Sequence, residues 1–174
     1  MRKSWIGNDP ERVLAEIAEM KFTGERHCCE GLGKRALEVF CTSAFRCCSL
    51  LGTEGKRRQQ MNKVDFRNRI VALLFDLWFN SAQVTLRQLK ILGQKYEFYR
   101  MIGQCHHCHV VSYPRTTWKP SPQQMRNVLH LEAEGSRIIK DFNRALESIN
   151  MALDIAPGDV ELKRERERII QAMS

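Results

Sequence analysis

Apolar residues recur every three or four positions through the last third of the chain, and this spacing limits the fold more than any other feature. The series runs from Val128 to Ala156 without a proline. Alternating steps of three and four place such side chains along one side of an α-helix. Ser121 and Pro122 precede the series and match a helix start in which serine caps the backbone and proline occupies the first turn. The pattern therefore predicts one long helix over about 122–156.

The apolar edge of this predicted helix must be covered, either by the rest of the chain or by another molecule. We therefore expect it to act as an interaction surface, on a second copy of the chain or on a protein partner. The residues of this surface are Val128, Leu131, Ile138, Phe142, Ala145, Ile149 and Ala152.

A second stretch, about 62–103, has no proline and one internal glycine, Gly93. Its apolar residues between Phe66 and Trp78 have helical spacing and occur nearly all round, which indicates a central helix. The whole chain has only 10 glycines and 5 prolines in 174 residues, and this favours a few long elements. We predict an all-α fold, a single domain over 1–174. It is a helical bundle built on two long antiparallel helices, with three shorter helices beside them.

The end of the C-terminal pattern also resembles the second helix of a tetratricopeptide repeat. Ala145, Ile149, Ala152 and Pro157 stand at the spacing of that repeat, and the letters ALDIAPGD are similar to its end. The charged stretch that follows is similar to the helix that caps such arrays. The resemblance covers about half of one repeat and departs from it in the preceding helix, which lacks the usual tryptophan. It implies a helical hairpin within 122–156, so one helix and a hairpin both remain open.

The segment 104–120 is predicted to be an irregular loop that carries cysteine and histidine. Cys105, His107, Cys108 and His109 lie within five positions. The Cys-x-x-Cys spacing can bind one tetrahedral zinc ion, to which a histidine can add a nitrogen ligand. Zinc is therefore a candidate cofactor, and the alternative is a loop of reduced thiols without metal. The order Cys-x-x-Cys-His also matches covalent haem attachment, but that chemistry belongs to exported chains.

The net charge of +8 is concentrated in the middle of the chain, where residues 63–125 contain nine lysines and arginines and three acidic residues. A basic surface attracts polyanions, and an aromatic ring beside it can stack on an unpaired base. Binding of RNA or single-stranded nucleic acid is therefore the alternative function, and a solvated helix face is the competing interpretation. The candidate contacts are Lys56, Arg57, Arg58, Lys63, Arg67, Arg115, Trp118 and Lys119.

No recognisable catalytic sequence is present. The chain has no glycine-rich phosphate loop, no nucleophile elbow and no His-Glu-x-x-His. It also has no secretory signal and no apolar run of membrane-spanning length, and its seven cysteines are an odd number. These features predict an intracellular protein, cytoplasmic or nuclear, with reduced thiols. Our main hypothesis is a non-enzymatic helical interaction or assembly protein.

Overall fold

The computed structural model describes residues 9–52, 64–92, 95–110 and 116–174. Within these ranges the chain forms seven α-helices and no strand, so the all-α prediction is confirmed. Among the described helices, none combines the length and the apolar character needed to cross a membrane. The helices are α1 (Pro10–Cys29), α2 (Gly33–Leu51), α3 (Val64–Leu92), α4 (Lys95–Val110), α5 (Pro122–Ile138), α6 (Phe142–Ile155) and α7 (Val160–Met173).

The helices form a bundle of three antiparallel hairpins, followed by a single last helix. The hairpins are α1 with α2, α3 with α4, and α5 with α6, since each pair is in extensive contact and is joined by few residues. Between the hairpins, α2 packs extensively on α3, and the first helices contact one another in order, α1 with α3 and α3 with α5. Helix α7 then packs on α5 and α6. Helix pairs that stack side by side in this way make an extended array in which each pair mainly contacts its neighbours.

The long helix predicted over about 62–103 is instead two helices that fold back on each other. Helix α3 ends at Leu92 and α4 begins at Lys95. The apolar residues of this stretch cover more than one face, and the fold buries them between the two helices and their neighbours. Phe98, Met101 and Ile102 on α4 are fully buried in the same core cluster as Leu89 on α3.

The long helix predicted over about 122–156 is also wrong, and the hairpin alternative is confirmed. Helix α5 starts as expected, because the Ser121 hydroxyl accepts from the Gln124 amide at 3.2 Å and the Gln124 side chain accepts from the Ser121 amide. The chain then turns at 139–141, where Lys140 has a φ of 62°. The amide of Asp141 donates to the Ser136 carbonyl at 2.8 Å, which closes the turn.

All five cysteine and histidine residues of the segment, 105–109, are helical, contrary to the irregular loop predicted over 104–120. Helix α4 continues through Val110, and only 116–120 are described as non-helical. The reason is that Cys105 and Cys108 pack as small apolar residues in the core, on the same buried side as Met101 and Ile102. A helix places residues three and four apart on one face, and this burial extends α4.

Two glycines allow helices to approach closely. A Cβ atom on Gly24 of α1 would lie 2.4 Å from the Phe40 ring of α2, and one on Gly135 of α5 would lie 2.2 Å from the Phe98 ring of α4. Both rings are fully buried. The same device, a glycine against a phenylalanine, therefore holds α1 against α2 and α4 against α5.

Candidate interaction surface

The apolar residues that the sequence assigned to an interaction surface are used inside the chain. Val128, Ala145, Ile149 and Ala152 have no exposed area. The remaining three are half-buried, Leu131 and Ile138 against the main core and Phe142 against the core of the last three helices. This apolar edge is therefore covered by the chain itself.

A buried carboxylate joins α4, α5 and α6. Glu132 of α5 is 4 % exposed, and one of its oxygens accepts from the Arg144 guanidinium of α6 at 2.6 and 2.8 Å. Its other oxygen lies 2.9 Å from Nε2 of His106 on α4. Burial raises the pKa of this carboxyl, but hydrogen bonds and charges from His106 and Arg144 outweigh burial, so the pKa of Glu132 is lowered. Glu132 is therefore a charged anchor between three helices.

The Tyr99 side chain extends this polar cluster. Its hydroxyl donates to the Asp141 carboxylate at 3.1 Å and lies 3.2 Å from the Ser136 hydroxyl, while the Arg144 guanidinium stands 4.2 Å from its ring centroid. An open pocket of about 490 Å³ adjoins the cluster, between α4 and the last hairpin. Both oxygens of Glu132 are engaged, so the cluster holds the three helices together.

The three proposed zinc ligands whose side chains are described are not gathered into one site. Cys105 and Cys108 are buried, whereas His107 is exposed on the same helix. Burial, with a contribution from Cys108, raises the pKa of the Cys105 thiol well above its usual range, which disfavours the thiolate that binds zinc. Within the described part of the chain, no three His, Cys, Asp or Glu side chains are placed to share a metal ion. The side chain of His109 lies outside the described residues, so zinc stays a prediction.

The proposed nucleic-acid contacts are only partly described. Lys56, Arg57, Arg58, Lys63 and Arg115 lie outside the described residues. Of the others, Arg67 is buried and its guanidinium donates to the Leu51 carbonyl at 3.4 Å. Trp118 is half-buried against Phe75, with ring centroids 5.6 Å apart, and Lys119 is exposed. The described members therefore do not form one basic surface, because two of the three serve the packing of the chain.

The last helix covers one end of the array and presents charge to solvent. Helix α7 buries Leu162 and Ile169 in the core that it shares with α5 and α6. Arg137 of α5 donates to the buried carboxylate of Glu165 at 2.6 Å. Along its middle, the exposed positions of α7 are all charged: Lys163, Arg164, Arg166, Glu167 and Arg168.

The first hairpin, at the other end, exposes aromatic rings instead. All eight phenylalanines of the chain lie in the described residues, and six of them are buried or half-buried. The two exceptions are Phe22 of α1, 67 % exposed, and Phe45 of α2, 73 % exposed. The Phe22 ring lies in an open groove of about 670 Å³, whose other lining residues are Glu16, Glu19, Met20, Thr23, Arg26 and Arg46.

Two hydrogen bonds fix residues that line the groove. The Arg46 guanidinium of α2 donates to the Met20 sulfur of α1 at 3.0 Å, which joins the two helices across it. The Thr23 hydroxyl bonds back to the Glu19 carbonyl at 3.2 Å, within its own helix. Sequence analysis did not select this surface, since an isolated phenylalanine in an amphipathic helix gives no sign that it faces solvent.

No family model, curated protein or solved structure matches this chain. The interpretation of the surface therefore depends on its own geometry and chemistry.

Proposed function

We propose that this chain is a helical interaction and assembly module that docks through the groove of its first hairpin. The observation that carries the proposal is the exposure of Phe22 and Phe45, when every other phenylalanine is at least half-buried. An aromatic side chain buries 150–250 Å² when it is covered, and such side chains dominate the binding energy of protein interfaces. A partner in this groove would cover the Phe22 ring, and Phe45 is exposed on the other helix of the hairpin.

A comparison of the last helix with the first hairpin supports the same proposal. The middle of α7 exposes a row of charges from Lys163 to Arg168, and its exposed apolar residues, Val160, Ile170 and Met173, lie towards its two ends. The α1–α2 hairpin exposes two phenylalanine rings, and one of them lies in a groove of about 670 Å³. The first hairpin is therefore the better docking surface.

Photo-crosslinking in the cells that make the protein tests the proposal. A photoreactive phenylalanine analogue replaces Phe22 in one variant, Phe45 in a second, and Arg166 on the charged side of α7 in a control. We expect covalent adducts of higher mass from positions 22 and 45 and none from position 166. Absence of adducts from both phenylalanine positions, in protein that folds normally, would refute docking through this hairpin.

The nucleic-acid alternative stays a prediction, and the described residues give it no additional support. It has a simple test, because neutralising phosphates releases counterions and makes binding fall steeply with salt. If the chain binds nucleic acid, a labelled single-stranded oligonucleotide should bind at low salt and dissociate at high salt. If the oligonucleotide does not bind at low salt, the nucleic-acid alternative is ruled out.

A further inference from the structure

We propose that the partner on the first hairpin is a second copy of this chain, with the two α1 helices antiparallel across a twofold axis. This inference rests on the proposed function and names the occupant of the same surface. It follows from the order of charges along the exposed side of α1.

The exposed side of α1 has an acidic part and a basic part, with an aromatic ring between them. Glu19, Phe22 and Arg26 are all exposed, and the three side chains line the same groove. Steps of three and four residues keep them on one side of the helix, and seven residues separate the two charges, roughly 10 Å at ~1.5 Å per residue. Among the described residues, neither the Glu19 carboxylate nor the Arg26 guanidinium has an ion-pair partner.

An antiparallel copy of α1 complements this order. If the axis passes between Phe22 and Thr23, Glu19 of one copy faces Arg26 of the other, and the reverse pair forms at the opposite end. The two Phe22 rings then lie beside the axis, each next to Thr23 of the other copy. A twofold interface repeats every contact, so this arrangement makes two ion pairs and covers two aromatic rings.

A parallel copy of α1 would place Glu19 beside Glu19 and Arg26 beside Arg26. A copy docked on α7 would meet a different order of charges. Like charges at close range oppose association, which excludes the parallel register. Arg12 and Glu16 form an ion pair on this side of α1 at 3.3 Å. The pair lies towards the start of the helix and does not block the proposed contact. The twofold contact also closes on itself, so it makes a dimer and does not by itself extend into a filament.

Sedimentation of charge-reversed variants tests the twofold contact. The wild-type chain is expected to form dimers in a concentration-dependent way. E19R places two arginines on the surface and R26E places two glutamates there, so each variant alone should dimerise at least tenfold more weakly. An equimolar mixture of E19R and R26E should recover a mixed dimer, because each copy then meets the opposite charge. The double variant E19R/R26E should recover a dimer with itself.

The control is E167R on α7, which changes the net charge as E19R does but lies at the charged end of the array and should leave dimerisation unchanged. A wild-type chain that is monomeric at high concentration would overturn the twofold contact, as would failure of the mixture to associate when the wild type does. The crosslink at position 22 separates this result from the proposed function. An adduct with a different protein would leave docking through the hairpin in place and remove only the second copy as its occupant.

Discussion

At the scale of single residues, Glu132 shows how a charge can lie inside this bundle. Its carboxylate is 4 % exposed and accepts from Arg144 and His106, which come from the two neighbouring helices. A buried charge is tolerated when it is paired, and removing its charge leaves its partners without the acceptor around which they are arranged.

We expect E132Q to lower the free energy of unfolding by about 1–3 kcal/mol, because an uncharged amide replaces the carboxylate that accepts from Arg144 and His106. E147Q is the control, since Glu147 lines the same pocket but is exposed. Chemical denaturation of the two variants at neutral pH measures the difference. Equal stability of E132Q and the wild-type chain would show that Glu132 is not an anchor.

The stabilisation by Glu132 should also depend on pH. Its pKa is lowered from the ordinary value of 4.5, so its contribution is fully present above 4.5 and is lost as the pH falls through the lower folded value. The difference in the free energy of unfolding between wild type and E132Q should therefore narrow as the pH falls below 4.5. Denaturation series at several pH values measure the gap, and a gap that widens in acid would contradict the assignment.

Two glycines at helical positions should respond in opposite ways to alanine. In α5, the added methyl group of G135A would meet the buried Phe98 ring, whereas a Cβ atom on Gly103 of α4 meets nothing within 4 Å. We expect G135A to destabilise the fold by about 1–3 kcal/mol through overpacking, and G103A to stabilise it by about 0.5–1 kcal/mol through helix propensity. Thermal unfolding of the pair measures both changes. A stabilised G135A would show that α4 and α5 are not in close contact there.

At the scale of elements, the first and third hairpins turn in the same way with different residues. The turn after α1 contains Gly31, whose φ is 75°, and the Leu32 amide donates to the His27 carbonyl at 2.8 Å. The turn after α5 contains Lys140 in the same left-handed region, and the Asp141 amide makes the matching bond to the Ser136 carbonyl. Glycine adopts this conformation readily and lysine does not.

K140G should therefore stabilise the protein, by about 0.5–1 kcal/mol, since it removes the steric strain of a side chain at positive φ. K163G is the matched control, because Lys163 lies exposed within α7, where glycine should destabilise by about 1 kcal/mol. The melting temperatures of the two variants should move in opposite directions. A lower melting temperature for K140G would contradict the strained turn.

At the scale of the whole molecule, the exposure of the seven cysteines shows how closely the helices pack. All seven are free thiols, and they range from exposed Cys29 to fully buried Cys47. Burial, with contributions from Cys48 and Cys108, raises the pKa of Cys47 to about 12. Because the thiolate is the reactive form, burial protects Cys47 both by blocking access and by keeping it protonated.

A thiol reagent at neutral pH should modify Cys29 rapidly in the folded protein. Cys47, Cys105 and Cys108 should react only when the core opens, so their modification should follow global unfolding in denaturant. Mass spectrometry of digested samples assigns each modified position. Rapid labelling of Cys47 under native conditions would show that the α2–α3 contact opens easily.

Local sequence features predicted the helical class and the start of α5 correctly. Ser121 caps α5 and Pro122 stands in its first turn, and Asp9 and Asp159 cap α1 and α7 in the same local way, because capping depends only on residues within a few positions. The same features failed at the ends of helices. The turn at Lys140 contains no glycine that would mark the end of a helix. Because the apolar spacing continues through this turn, the pattern predicted one helix where there are two.

The amino-acid order alone determined that this chain is helical, where several of its helices begin and which side chains are apolar, because these properties arise from backbone propensity, capping and spacing within a few residues. Only the tertiary structure decided what each apolar or charged side chain meets. Cys105 and Cys108 became core residues, Glu132 became an anchor and Phe22 remained exposed, since each outcome depends on helices distant in sequence. Which side chains are buried depends on how all the helices pack together, and the sequence of one segment does not determine it.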